Sequence, residues 1–347
     1  MGAVDDLIAD ALIEQAVDLL RLEGSYNKAV LKLLKDMEQR LTEALSGRNL
    51  TEYSRQRLLD FLAETRSLIA QTYVAIRNEV DLEGIAVIES RAVAASIRSA
   101  VGDRIGVGVP PLSTLRPLVS GLLIQGAPSK DWWARQAGDT QFRFANVVRQ
   151  GIALGETNAQ IVARIRKGAG SQAPILEVSR RNAEALVRTS IQTVANKTRD
   201  AVFRANDDII AGVRQLSTLD GRTSDICVAY SGGEWDNDRQ PIKPTKLPYN
   251  GGPPRHWNCR SILTPIVRDL PGLPAFRTSQ RASADGPVRA DITFAEWLAG
   301  KPKSFQDELL GPGKAQLWRD GTITLQQLLD QRGRPLTLQQ LREKYAA

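Results

Sequence analysis

The sequence is poor in the residues most often used for chemistry near neutral pH, with one histidine and two cysteines among 347 residues. Two cysteines cannot form the disulfide framework of a small secreted protein, and such scarcity favours a reducing compartment such as the cytoplasm. No apolar run approaches the roughly 20 residues that cross a bilayer, and the acidic N-terminus lacks the pattern of a secretory signal. These absences predict a protein without membrane contact.

Signatures of nucleotide binding and base stacking are missing as well. The chain has no G-x4-G-K-[ST] loop to bind nucleotide phosphates. Aromatic residues make up 5% of the chain, which is too few to predict a surface on which single-stranded bases stack. We therefore interpret Trp132 and Trp133 as core or contact residues.

Charge is distributed unevenly along the chain. Residues 1–100 carry 12 Lys/Arg against 16 Asp/Glu, a net charge of −4, whereas residues 101–347 carry 34 against 23, a net charge of +11. The basic part is suited to face nucleic acid or an acidic protein surface. The alternative is charge that serves only solubility.

Apolar periodicity predicts a mainly α fold with a small α+β unit. The helical N-terminal region contains a first helix closed by Gly24 and a later helix with Thr51 as its N-terminal cap. A long central helix, residues 176–210, leads into a short-stranded Cys/His knot, and an extended C-terminal tail carries short helices. The strands are expected at 212–220, in GGEW and in SILTPIV.

Glycine- and proline-rich breaks divide the chain into five predicted segments. They are a helical N-terminal region (1–104), a second helical block (112–168), a core (176–270), a linker (271–290) and a C-terminal tail (291–347).

The histidine and both cysteines fall close together as Cys227 and His256-x2-Cys259. This set supplies three of the four ligands of a tetrahedral zinc site, and Asp225 or a water would complete it, since Ser224 is a poor zinc ligand. Two other interpretations stay open: buried thiols with His256 bonded to a loop carbonyl, and a Cys227 nucleophile with His256 as its base. The sequence predicts no required cofactor, with zinc as an open alternative.

Three stretches together resemble the phage Mu protein F-like family, whose members are minor head or head morphogenesis proteins of tailed bacteriophages. The stretches are ALVRTSIQTVANKTRDAVFRAN, TLDGRTSDICVAYSGGEW and PPRHWNCRS. The matching positions are Arg188, Thr189, Asp220, Arg222, Thr223, Cys227, Gly232, Pro253, Pro254, His256, Cys259 and Arg260. The tail is similar to the C-terminal extension of many such proteins at Trp297, Phe305, Gln306, Leu310, Gly311, Leu317 and Gly321.

This chain departs from the family pattern at two positions. Many relatives carry C-x2-C before the loop and Cys-Arg-Cys after it, whereas Ser224 and Ser261 stand at those positions here. The resemblance therefore implies a structural knot formed by a Cys/His/Asp/Arg cluster, with or without metal. Its expected members are Asp220, Arg222, Thr223, Cys227, His256, Cys259 and Arg260.

The resemblance implies a minor capsid protein of the virion that is not an enzyme. It would be assembled in the host cytoplasm and lie inside the head near the portal vertex, with the portal protein and the major capsid or scaffold protein as partners. We expect the basic central helix to contact packaged double-stranded DNA without reading its sequence. The predicted DNA contacts are Arg180, Arg181, Arg188, Lys197, Arg199 and Arg204.

Two rival functions remain. One is an enzyme or toxin-like effector carried in the virion, such as an ADP-ribosyltransferase or a protease. The chain has no Glu-x-Glu pair for the first, and no Ser/His/Asp arrangement around His256 indicates the second. The other rival is a DNA-packaging accessory protein without a portal role.

Overall fold

The computed structural model describes residues 3–48, 55–102, 105–168, 173–269, 280–289 and 292–345. Within these ranges the predicted fold class is confirmed: the chain is mainly α-helical, with a few short strands in small sheets. No helix in the described ranges is both long enough and apolar enough to span a bilayer.

The N-terminal region consists of long helices, as predicted. They are α1 (Ala3–Ser46), α2 (Arg55–Glu79) and α3 (Leu82–Val101). The predicted end of the first helix at Gly24 is wrong, because α1 continues through it. A glycine inside a helix costs only about 1 kcal/mol, and buried residues on both sides of it, such as Leu12 and Leu34, keep the helix packed. The predicted Thr51 cap lies outside the described residues.

The second helical block is interrupted near residues 121–128, which include Gly126 and Pro128, and again near Gly155. Its α6 begins with a capping box, in which Thr157 and Gln160 bond each other's backbone N–H groups. The elements are α4 (Leu112–Ser120), β1 (Leu123–Ile124), β2 (Ala127–Pro128), α5 (Ser129–Ala153) and α6 (Asn158–Lys167).

The central helix, α7 (Ile175–Arg204), ends before the predicted residue 210. Asn206 explains the early end, because its Nδ2 donates to the Val202 carbonyl at 2.7 Å and to the Gly108 carbonyl at 3.0 Å, while its Oδ1 accepts from Gly108 N. This side chain satisfies backbone groups that another helical turn would otherwise use.

The strand β3 (Ile210–Leu216) is the centre of a three-stranded antiparallel sheet in the order β4-β3-β5. A Cβ on Gly212 would lie 2.3 Å from the Trp235 carbonyl oxygen, so only glycine allows β3 to approach β4 this closely. The other elements are α8 (Asp225–Tyr230), β4 (Glu234–Asp236) and β5 (Ile262–Val267).

The C-terminal part contains a hairpin and short helices. Residues 271–279 and 290 of the predicted linker lie outside the described residues, and the rest of the linker forms the hairpin β6–β7. The elements are β6 (Gln280–Ser283), β7 (Gly286–Arg289), α9 (Phe294–Ala299), α10 (Lys303–Leu310), α11 (Pro312–Arg319) and α12 (Leu338–Tyr345).

The chain divides into two compact units. The first comprises Met1–Leu19, Glu83–Ser120 and Gln192–Ala347, and the second comprises Leu20–Leu82 and Gly121–Ile191. The five predicted segment boundaries stay predictions beside this division.

Each unit has its own interior. In the first unit, Trp235 and Leu263 of the sheet share one buried cluster with Phe294, Leu328 and Leu341 of the tail. In the second, α2 and α5 pack together through a buried polar chain, in which Tyr73 Oη lies 2.9 Å from Thr140 Oγ1, and Thr140 Oγ1 lies 3.0 Å from Ser179 Oγ. Trp133, predicted as a core or contact residue, is buried.

Candidate metal centre and structural knot

The predicted Cys/His set comes together in the first unit. Cys227 is presented by α8, while His256 and Cys259 come from the loop that precedes β5. The two sulfur atoms lie 3.5 Å apart, and Cys227 Sγ lies 3.1 Å from His256 Nε2. Both thiols are buried and the imidazole is half-buried.

The imidazole of His256 is oriented by its other nitrogen. His256 Nδ1 lies 2.8 Å from the carbonyl oxygen of Trp257. A carbonyl only accepts, so Nδ1 donates, and Nε2 is directed at the sulfurs and at Ser224 Oγ, 2.8 Å away. This backbone contact resembles the outer-shell bond that usually orients a metal-binding histidine.

The three groups perturb each other's protonation. The pKa of Cys259 is lowered to about 3, first because the Cys227 thiol donates to it, against the opposing effect of burial, and also because of the bond to His256. The hydrogen bond to Cys259, together with burial, raises the pKa of Cys227. The hydrogen bond to Cys259 raises the pKa of His256 against the opposing effect of burial. These shifts favour ionisation of Cys259 over that of Cys227, and the thiolate is the form of cysteine that binds metal.

The set passes a geometric test for zinc. With Zn–S near 2.3 Å and Zn–N near 2.0–2.1 Å, tetrahedral geometry needs about 3.8 Å between sulfurs and about 3.6 Å between sulfur and nitrogen. The observed sulfur–sulfur distance of 3.5 Å and sulfur–nitrogen distance of 3.1 Å are slightly shorter than these values. All three candidate ligand atoms lie within 4.8 Å of one another, so small shifts of the side chains would admit the ion. Ser224 Oγ or a water would take the fourth position, since the Asp225 carboxylate accepts from Lys314 Nζ at 2.6 Å.

Hydrogen bonds tie the cluster to the sheet and the central helix. Ser217 Oγ donates to the Cys227 carbonyl at 2.7 Å and lies 3.0 Å from Ser261 Oγ. Asn196 of α7 donates from Nδ2 to the Ser261 carbonyl and accepts from Leu263 N at 2.8 Å. The thiols are thus held by a network that joins α7, α8 and β5.

The charged members of the predicted knot also come together. Arg260 makes a bidentate pair with Asp220, with contacts of 2.6 and 2.8 Å. Thr223 Oγ1 donates to the Thr218 carbonyl at 2.6 Å, whereas Arg222 contributes its backbone N–H to Asp220 and has an exposed side chain. The pKa of Asp220 is lowered, because the bonds from Arg260, Arg222 and Thr223 outweigh the opposing effect of burial.

Sequence reasoning missed Arg255, the residue before the histidine. Its guanidinium lies over the Tyr230 ring at 3.3 Å and donates to Gln215 Oε1 at 2.7 Å and to the Tyr249 carbonyl. It fastens the histidine loop to α8 and β3. The only sequence signal was its position next to His256, because its partners are far away in the chain.

The six predicted DNA contacts are not equivalent. Arg180, Arg181 and Arg204 are exposed, the latter two in ion pairs with Glu177 and Asp200. Two are half-buried: Arg188, paired with Glu23 at 2.6 Å, and Lys197, which donates to the Gly251 carbonyl.

The structure contradicts the prediction that Arg199 contacts DNA. Its side chain is 0% exposed and its Nε donates to the equally buried Glu89, so it is inaccessible to a DNA phosphate. The helical pattern alone placed Arg199 on a polar face that α3 in fact covers.

Comparison with known proteins supports the family resemblance. Residues 143–264, about a third of the chain, match the family described as Phage Mu protein F like protein, which confirms the resemblance inferred from the motifs. No curated protein matches the chain. No solved structure matches it either.

Proposed function

From the match of residues 143–264 to the phage Mu protein F-like family, we propose that this chain is a minor capsid, or head morphogenesis, protein of a tailed bacteriophage. The family match is the observation that carries the proposal. The match supports a place in the virion. The finer part of the proposal is that the chain associates with the portal and the procapsid interior near the portal vertex and contacts packaged DNA.

The knot has a structural role in this proposal. Both thiols are buried, and the hydrogen bonds of the cluster join it to α7, α8 and β5. A nucleophile needs access to its substrate, and neither sulfur offers it. Turnover of NAD or of a capsid precursor by the purified chain, lost in His256→Ala, would overturn this role and favour a virion-borne enzyme.

Zinc is the metal that these residues would hold. Cys227, His256 and Cys259 would be its protein ligands, and the bound ion would cross-link α8 to the histidine loop. Support comes from the distances among the three ligand atoms, from the backbone bond that directs His256 Nε2 inward, and from the lowered pKa of Cys259.

The zinc proposal is tested by metal analysis and by calorimetry. We expect purified chain to contain equimolar zinc. Returning zinc to metal-free protein at 100-fold over its Kd should raise the Tm by about 5–10 °C. His256→Ala should lose this response, whereas the control Asp225→Asn should keep it, because that carboxylate bonds Lys314. Purified protein that contains no zinc and shows no change in Tm when zinc is added would refute the proposal.

The assembly role is tested in phage particles. Without this polypeptide we expect fewer or malformed heads and a loss of infectivity, restored by the wild-type chain supplied in trans. Purified portal protein should also retain the chain in a pulldown. Particles normal in number, shape and infectivity would contradict the assignment, and strong DNA affinity without portal binding would favour a packaging accessory protein.

A further inference from the structure

A groove in the second unit is lined by cations from two helices. Lys28, Lys32 and Lys35 of α1 face it together with Arg180 of α7, and its volume is about 470 Å³. All four side chains belong to exposed residues. We call these four residues and the space between them the basic groove.

The floor of the basic groove is apolar and fixed. Leu34 and Leu176, which line it, are buried. Farther along the same two helices, Arg188 donates to the buried carboxylate of Glu23 at 2.6 Å. The floor and the ion pair hold α1 against α7, so the spacing of the four cations is set by two packed helices.

In the part of the chain that the structure describes, the four cations of the basic groove have no carboxylate within ion-pair distance. The acid that lines the groove, Glu38, lies 4.0 Å from Arg166. Clustered cations without acidic partners create a positive potential that attracts an anionic partner.

We propose that the basic groove binds the phosphate backbone of duplex DNA. This inference rests on the proposed function, of which it specifies the DNA-contacting surface. Positions i, i+4 and i+7 lie on one face of a helix. From Lys28 to Lys35 the helix rises about 10 Å, which equals about three steps of 3.4 Å along the duplex axis and therefore spans about four successive phosphates of one strand.

Three of the four cations of the basic groove lie on α1, and one lies on the central helix. Of the residues predicted there, Arg199 is buried and Arg188 is committed to Glu23. Arg180 is the predicted contact that lines the basic groove. The three lysines of the groove belong to the first hundred residues, whose net charge is negative.

Duplex DNA binding by the full chain, measured across a salt series, tests the inference. The test variant is Lys28→Gln/Lys32→Gln/Lys35→Gln. Its control is Arg91→Gln/Arg116→Gln/Arg135→Gln, which removes the same charge from exposed positions outside the groove. Each phosphate contact contributes about 0.9 to the slope of log K against log salt. We therefore expect the test variant to lose about 3 units of slope and the control to keep the wild-type value.

Each outcome decides a different point. If wild type and test variant have equal slopes of log K against log salt, DNA does not bind at the basic groove, although it still binds elsewhere on the chain. A wild-type chain whose binding is flat with salt would overturn DNA contact itself, and the groove with it. If poly-glutamate binds the groove more tightly than duplex DNA does at equal salt, the partner of the groove is an acidic protein surface and the DNA proposal is wrong. Single lysine variants, checked by circular dichroism, provide the same readout if the triple variant unfolds.

Discussion

At the scale of single residues, Ser224 and Ser261 are the two positions at which the family resemblance implies a thiol in many relatives. Ser224 Oγ faces His256 Nε2, whereas Ser261 Oγ faces Ser217 Oγ. A hydroxyl is a weaker zinc ligand than a thiolate, and both serines instead contribute polar contacts within the knot. The spacing of the two cysteines and the histidine predicted that they would lie together. Only the structure shows which atoms of these side chains face one another.

The Asp220–Arg260 pair makes a pH-dependent contribution to stability. The pKa of Asp220 is lowered in the folded chain, so its contribution is complete above the unfolded value of about 3.9 and is lost as the pH falls through the folded pKa. At pH 7 we expect Asp220→Asn to cost about 1–2 kcal/mol, a figure reduced for the partial exposure of the pair.

Urea unfolding of wild type and Asp220→Asn between pH 7 and pH 3 measures this contribution. The difference in the free energy of unfolding should be constant down to about pH 5 and shrink below about pH 4. Arg222→Gln is the control and should change little, because Arg222 contributes only its backbone N–H. A difference that is the same at every pH would refute the assignment of the effect to the carboxylate.

At the scale of secondary-structure elements, three helices of the first unit meet at one buried ion pair. Glu89 of α3 accepts from Arg199 of α7 and from Gln15 Nε2 of α1 at 2.9 Å. Amphipathic periodicity predicted all three helices, but it could not show that these polar residues face one another. Burial of a charge is stable only with a partner, and the partner lies 110 positions away in the sequence.

Removal of Glu89 should destabilise the first unit strongly. Glu89→Ala leaves the Arg199 charge buried and unpaired, and we expect a loss of about 3–5 kcal/mol in the free energy of unfolding. Glu83→Ala on the same helix is the control. It breaks the exposed Arg116 pair and should cost less than about 1 kcal/mol.

Denaturant unfolding of both variants measures the difference. A double variant, Glu89→Leu/Arg199→Met, should recover much of the lost stability, because it removes both buried charges. Equal losses for Glu89→Ala and Glu83→Ala would show that the buried pair contributes no more than a surface pair does.

At the scale of the whole molecule, each compact unit is built from separated stretches of sequence. The sheet, the Cys/His knot and the C-terminal helices share one buried cluster, so the tail is part of the same unit as the knot. The net charge summed over the first hundred residues hid the basic groove, because the 16 acidic residues of that stretch outnumber its 12 basic ones. Only packing against α7 shows that these lysines and Arg180 form one surface.

The sequence by itself determined the fold class, the helical periodicity, the family resemblance and the grouping of Cys227, His256 and Cys259. These depend on spacing, composition and local motifs, which are local properties of a chain. Tertiary structure alone decided that Arg199 is buried, that Arg255 fastens the histidine loop and that α1 and α7 form a basic groove. Those outcomes depend on contacts between residues far apart in sequence, whose burial and pairing follow from which helix faces pack together.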